Sequence, residues 1–160
     1  MTLADLLTVE RVVPRLCAHD SQDALRKLVS HISNNAHVAK RDVKEALMRS
    51  VEFTTFGPGS GVSLPHAVIP GLAAPLAVFA RLNPALNFDA ADGSLTDLMV
   101  LLVSPGEGAG HLRALACIAR RLREQKVREQ LRACSSRDCI YSVLIGYDDA
   151  SVCSTNSTVG

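Results

Sequence analysis

Residues 95–122 read LTDLMVLLVSPGEGAGHLRALACIARRL, and the pattern changes sharply in the middle. Leu95 to Val103 is a nearly unbroken apolar run, the composition of a strand buried on both faces. Ser104-Pro105-Gly106 ends it, and Gly108-Ala109-Gly110 leads into an amphipathic helix that begins at His111. Leu112, Leu115, Ile118, Ala119 and Leu122 recur at helical spacing on one face, while Arg113, Arg120, Arg121 and Arg123 form a solvated opposite face. A strand, a glycine turn and a helix in direct succession predict an α/β fold.

The flanking sequence extends this alternation. Ala74 to Leu82 reads as another strand, joined to the first by FDAADG, where Asp92-Gly93 suits positive backbone φ. Toward the N-terminus, Ser21 or Asp20 can cap a helix running to about Asn34, with Leu25, Leu28, Val29 and Ile32 at i, i+3, i+4 and i+7. A second helix spans about Arg41 to Arg49, with Val43 and Leu47 inward. The glycine-rich stretch GPGSG follows, then a short strand Val62-Ser63-Leu64. Pro65 disfavours helix at Leu64 and places His66 at a bend beyond the strand. After the arginine-bearing helix come a short segment, Val127 to Arg132, and a helix from about Arg137 to Ile145. Residues 1–146 are expected to form one domain, and the small, polar residues 147–160 a loose tail.

Composition narrows the function. The chain has 160 residues, of which 48% are hydrophobic and 21% charged, with net charge +1, so it can bury a core without staples and has no bias toward a polyanionic partner. Aromatic residues make up only 4% and Trp is absent, which supplies poor stacking for bases and argues against nucleic-acid binding. Cys17, Cys117, Cys134, Cys139 and Cys153 are odd in number and form no C-x-x-C pair, unlike a disulfide framework or a zinc site. They are expected to be free thiols without metal. The opening MTLADLLTVERVVPRL carries Asp5 where a signal peptide carries basic residues, and no apolar run approaches the roughly 20 residues of a membrane span. A cytoplasmic protein without membrane insertion is expected.

Five histidines remain as candidates for chemistry. Near neutral pH a large fraction of an imidazole is uncharged and able to act as nucleophile, base or ligand. Glycines at 57, 59 and 61 ahead of His66 leave room for a ligand or partner to approach. His111 stands at a helix N-terminus after a strand, where free amides and the helix dipole favour an anion. The residues alone leave both open between a shared site at the strand ends and ordinary surface or helix-end positions. His19, His31 and His37 lack such loop signals and read as surface.

Taken together, Glu45-Ala46-Leu47, GPGSGVSLPHA, NFDAADG, LLVSPGEGAGHLRALACIARRL and the last helix resemble the IIA domain of the fructose/mannitol type in the bacterial phosphoenolpyruvate-dependent phosphotransferase system. Within that family the chain is most similar to the nitrogen-regulatory branch. The resemblance covers residues 3 to 146 and is carried mainly by a G-[VI]-[AS]-[LI]-P-H motif and a later H-L-x-x-L-x-x-[IV]-[AS]-x-x-L helix start. It implies a mixed β-sheet flanked by helices. It also implies that His66 accepts a phosphoryl group through Nε2 from an HPr-like phosphocarrier protein, that His111 stabilises that group, and that no metal, nucleotide or other cofactor takes part. Regulatory or transport proteins are the implied partners.

The chain departs from the family pattern beside these histidines. The usual E-A-L-x-x-R-E places its arginine on Ser50 and its glutamate on Val51, and Arg49 lies one residue early, about 100° away around a helix. Ala67 and Val68 follow the histidine where glycine and a basic residue are common. Two classes of function therefore stand: a phosphocarrier cycling on His66, of the nitrogen-regulatory or a sugar-specific kind, and an interaction module that kept the fold with reduced phosphoryl chemistry.

Overall fold

The computed structural model describes residues 1–36, 39–50, 52–55, 60–88 and 93–146. Gly57, Gly59, Asp92, His37, Cys153 and residues 147–160 lie outside them. In chain order the elements are α1 (Leu3–Leu6), a 3-10 turn (Val9–Arg11), β1 (Val12–Leu16), α2 (Ser21–Ala36), α3 (Lys40–Ser50), β2 (Glu52–Thr55) and β3 (Val62–Val68). They continue as β4 (Leu76–Leu86), β5 (Thr96–Ser104), α4 (Ala109–Leu122), α5 (Gln125–Ala133) and α6 (Arg137–Ile145).

The strands form one mixed sheet in the order β1-β4-β5-β3-β2, with β1 parallel to β4, β3 parallel to β5, and antiparallel pairing between β4 and β5 and between β2 and β3. The expected mixed sheet flanked by helices is thus observed. Side chains alternate across a strand, and the sheet sorts them into two cores. Leu64 of β3, Phe79 of β4 and Leu98, Val100 and Leu102 of β5 pack toward α1, α4, α5 and α6. Ala67, Val78, Ala80, Met99, Leu101 and Val103 pack toward α2 and α3. This two-sided burial explains the apolar run in β5, whose residues 98–103 are all at most 1% exposed.

Several local expectations are corrected. The strand at Val62 does not stop at Leu64: β3 runs through Pro65 and His66 to Val68, with Pro65 opposite Phe53 of edge strand β2. Proline forfeits one ladder donor, but its fixed φ is close enough to extended geometry for the strand to pass through. The helix after β5 starts two residues before His111, with Gly108 as N-cap. The segment after Arg123 is a full helix, α5. Strands β1 and β2 and helix α1 add to the elements expected from sequence. The N-cap of α2 is Asp20, whose carboxylate accepts the Asp23 N–H at 2.8 Å, and Gly146 closes α6 at φ 81°, a backbone conformation that favours glycine.

Three arginines donate to carbonyls at the ends of three successive helices, where the last turn lacks a full set of intrahelical partners. Arg128 donates to the carbonyls of Leu122 and Arg123 beyond α4 at 2.9 and 2.7 Å. Arg81, from the middle of β4, donates to Leu131 O at 3.0 Å and Cys134 O beyond α5, and to Pro14 O of β1 at 2.9 Å. Arg121 donates twice to Val143 O of α6, at 3.0 and 2.6 Å. Arg121 is thus tied to a neighbouring helix rather than belonging to a wholly solvated face.

Candidate functional site

Strand parity places the two histidines. His66 is two residues beyond Leu64 and four beyond Val62, so it faces α4 rather than α3. On β5, Ser104 follows Leu98, Val100 and Leu102 on that same side. The parallel register sets His66 opposite Leu102 and Val68 opposite Ser104, so both lie where these strands end. From there the chain turns back into α4 and brings His111 over the sheet in the first helical turn. The His66 and His111 ring centroids come to 5.3 Å, with the planes inclined by 52°.

Both rings are 8% exposed, and Ser104, fully buried, holds the Nδ1 of His111 through its hydroxyl at 2.8 Å. They border a cavity of about 310 Å³ lined also by Ala67, Val68, Glu107, Leu112 and Leu115. Among these lining residues Glu107 is the one carboxylate, and there is no arginine or lysine. Leu112 was expected on the buried face of the helix, but it is 63% exposed at the rim. The buried stripe of α4 is instead His111, Ala114, Ile118 and Leu122, and Leu112 stands about 100° from His111 around the axis.

The arrangement is suited to a small anion with one nucleophilic neighbour. Two imidazoles at this separation can address the same phosphate-sized group, one by its lone pair and the other by an N–H. The first turn of α4 adds the positive end of its helix dipole.

The other residues singled out by sequence lie elsewhere. Gly61, at φ 72°, immediately precedes β3 at the far end of the strand, about 16 Å from His66 at 3.3 Å per residue. It makes no room near the histidine. A Cβ there would stand 2.6 Å from Arg132 Nη2 and 2.7 Å from Asp97 Oδ1, so glycine lets the backbone pass beneath their ion pair. Arg49 is exposed on α3, while Ser50 closes α3 with a side chain outside the described residues. His19 is exposed, but His31 is half-buried and burial pushes its imidazole toward the neutral form. Cys17 is an exposed and Cys117 a half-buried free thiol, while Cys134 and Cys139 are buried in the core on the α4 side.

A second cavity, of about 400 Å³, lies at the opposite end of the sheet between Arg15, Arg81, Asp97 and Arg132. Its cations are largely engaged: Arg81 serves helix carbonyls, and Arg132 grips both oxygens of Asp97 at 2.7 and 2.8 Å. Sequence reasoning missed Ser104 and Glu107. The signal for Ser104 was its place as the last in-step position of β5, seven residues before His111, which becomes a contact only once the turn into α4 is known.

The family model "Phosphoenolpyruvate-dependent sugar phosphotransferase system, EIIA 2" matches residues 5–146. A nitrogen regulatory protein of Bradyrhizobium diazoefficiens is 38% identical over 145 residues, covering 90% of this chain and 95% of that protein. The crystal structure of nitrogen regulatory protein IIA-Ntr from Neisseria meningitidis superposes with TM-score 0.77 at 24% identity, over 89% of this chain and 98% of that one. A complex of enzyme IIAMTL and phosphorylated enzyme IIBMTL from Escherichia coli gives TM-score 0.71 at 17% identity, over 88% and 97%. The chain belongs to the EIIA 2 family of the phosphoenolpyruvate-dependent sugar phosphotransferase system.

Proposed function

We propose that this chain is a nitrogen-regulatory phosphocarrier: His66 accepts a phosphoryl group from an HPr-like carrier, and the phosphorylated and free forms bind regulatory or transport proteins differently. The observation that carries the reading is the pair of buried imidazoles, 5.3 Å apart at one end of the sheet. In the transfer, the bond between phosphorus and the carrier's imidazole nitrogen breaks as the lone pair of His66 Nε2 forms the new one. The carrier's ring leaves with the electron pair. Negative charge spreads over three phosphoryl oxygens at the midpoint, so catalysis is positioning and charge stabilisation. His111 supplies a donor there, and the α4 N-terminus a favourable field. The scheme calls for no metal or other cofactor.

The 38% identity to a nitrogen regulatory protein favours that branch over a sugar-specific component. A cytoplasmic setting fits the free thiols of Cys17 and Cys117, and no helix among the described residues is long and apolar enough to cross a membrane. Incubation with phosphoenolpyruvate, enzyme I and the phosphocarrier, followed by intact-mass analysis, should add one phosphoryl group per chain. An unchanged mass would leave the interaction module, a reading favoured by Glu107 in a cavity whose described lining residues include no arginine or lysine.

Two rate predictions follow from the charges. Ser50→Arg is expected to speed uptake about tenfold, because a guanidinium donates two charge-assisted hydrogen bonds where serine donates one neutral bond, a difference of order 1.5 kcal/mol. Glu107→Gln is expected to speed it about two- to threefold at low salt, with the gain shrinking as salt rises, since an exposed carboxylate acts through screened solvent. Initial rates of label transfer at two ionic strengths check both; no gain in either variant would show that charge does not limit the step.

A further inference from the structure

The geometry points to Ser104 as a positioning residue that keeps His111 an Nε2–H donor toward His66 in both protonation states of the ring. The inference rests on the phosphocarrier reading of His66.

A fully buried hydroxyl is cut off from solvent and is satisfied by protein partners. The one it meets here is His111 Nδ1, at 2.8 Å. With Nδ1 engaged, Nε2 is the ring's remaining polar atom, on a residue that borders the cavity with His66. The identity of the partner decides what that atom offers. A carbonyl oxygen only accepts, so it would draw the proton of a neutral imidazole to Nδ1 and leave a lone pair at Nε2, repelling phosphoryl oxygens. A hydroxyl both donates and accepts. Against a neutral ring, the hydroxyl proton of fully buried Ser104 has the bare Nδ1 as its partner, and the other tautomer would leave that proton buried and unmet, so the ring's own hydrogen is held on Nε2. A protonated ring carries hydrogen on both nitrogens, and the hydroxyl then accepts from Nδ1–H.

The titratable groups facing His111 among the described residues are His66 from β3 and Glu107 from the turn before α4; β5 contributes the hydroxyl. The described lining residues include no arginine or lysine, so an Nε2–H that survives deprotonation of the ring is the donor these residues offer to phosphoryl oxygens. Strand parity brings the Ser104 hydroxyl to His111, because Ser104 ends the row Leu98, Val100, Leu102 on the α4 side of the sheet.

The test uses the full chain with 15N-labelled histidine, the His111 signals being assigned by comparison with His111→Ala. At about pH 8, the wild type should show a protonated Nε2 and an acceptor-type Nδ1. Ser104→Ala should shift both nitrogens toward a tautomer average, and Ser104→Thr should restore the wild-type pattern. Relative to wild type at the same pH, label uptake by Ser104→Ala should fall about tenfold near pH 8. It should fall less at a lower pH at which the His111 nitrogen shifts report a protonated ring, because that form carries Nε2–H unaided. A wild-type ring with its proton on Nδ1 would overturn the inference. So would nitrogen shifts unchanged in Ser104→Ala, whether the rate holds or falls equally at both pH values. If the wild type takes up no phosphoryl group, the phosphocarrier reading fails, and the nitrogen shifts alone decide whether Ser104 sets the tautomer.

Discussion

Phosphoryl uptake is expected to vanish in His66→Ala and to fall by about a hundredfold in His111→Ala. The first variant removes the atom that bonds phosphorus, and no donor can compensate for a missing nucleophile. The second removes one positioned donor from a partly desolvated site, a loss that typically costs 10²–10³ in rate. Both rings border an open cavity rather than filling the core, so each variant should keep its fold, which circular dichroism at equal concentration can verify. The measurement is transfer of radiolabel from the phosphorylated carrier under identical donor concentrations. Label persisting in His66→Ala would sink the assignment of the acceptor. An undiminished rate in His111→Ala would remove the second imidazole from the scheme, and with it the purpose assigned to Ser104.

Arg81→Met should destabilise the protein by about 3 kcal/mol and lower the unfolding midpoint by roughly 6–12 °C. One guanidinium joins three elements: Nε reaches Pro14 O of β1, and Nη1 reaches Leu131 O and Cys134 O at the end of α5. Methionine preserves much of the apolar stem but leaves part-buried carbonyls without donors, and each hydrogen bond from a charged donor contributes about 1.5–3 kcal/mol, less than additively when shared. Arg81→Lys should recover only part of the loss, since an ammonium is a point charge and cannot fork between strand and helix. Thermal and denaturant unfolding of the three proteins check this. A loss below about 1 kcal/mol in Arg81→Met would mean that water replaces the guanidinium at the helix end. Arg81 lies away from the histidines, because Leu76 of β4 pairs with Val103 near their end of the sheet and Arg81 pairs with Leu98, toward the start of β5. Below its unfolding transition the variant should therefore still accept label.

The elements read correctly from sequence are those whose signals are strong and local. Thr96–Ser104 announces itself by a continuous apolar run, α6 by Ser136 at the cap, whose hydroxyl accepts the Cys139 N–H, and by Gly146 at the end. The missed strands lack such signals. In β1, VVPRL carries a proline and an arginine, and its pairing with β4 is irregular between Val13 and Leu16. In β2, four residues on an edge draw their extended geometry from pairing with β3. Leu112 misled because the helical spacing of apolar residues identifies a stripe but not its centre, and a shift of one residue moved Leu112 to the cavity rim and His111 into the buried row.

By itself the sequence determined an α/β domain, its principal helices and central strands, the family motifs, and the two histidines worth watching, because periodicity, capping and turn chemistry act over a few residues. Tertiary structure decided which side of the sheet each histidine faces. A side chain's face depends on strand register, and a slip of one residue would turn His66 toward α2 and α3, away from His111. The same register brought Ser104 to His111, set Gly61 beneath the Arg132–Asp97 pair, and carried Arg81 to the end of α5. These contacts join residues 7 to 71 positions apart, and only the paired, twisted sheet with its returning helices fixes their separation in space.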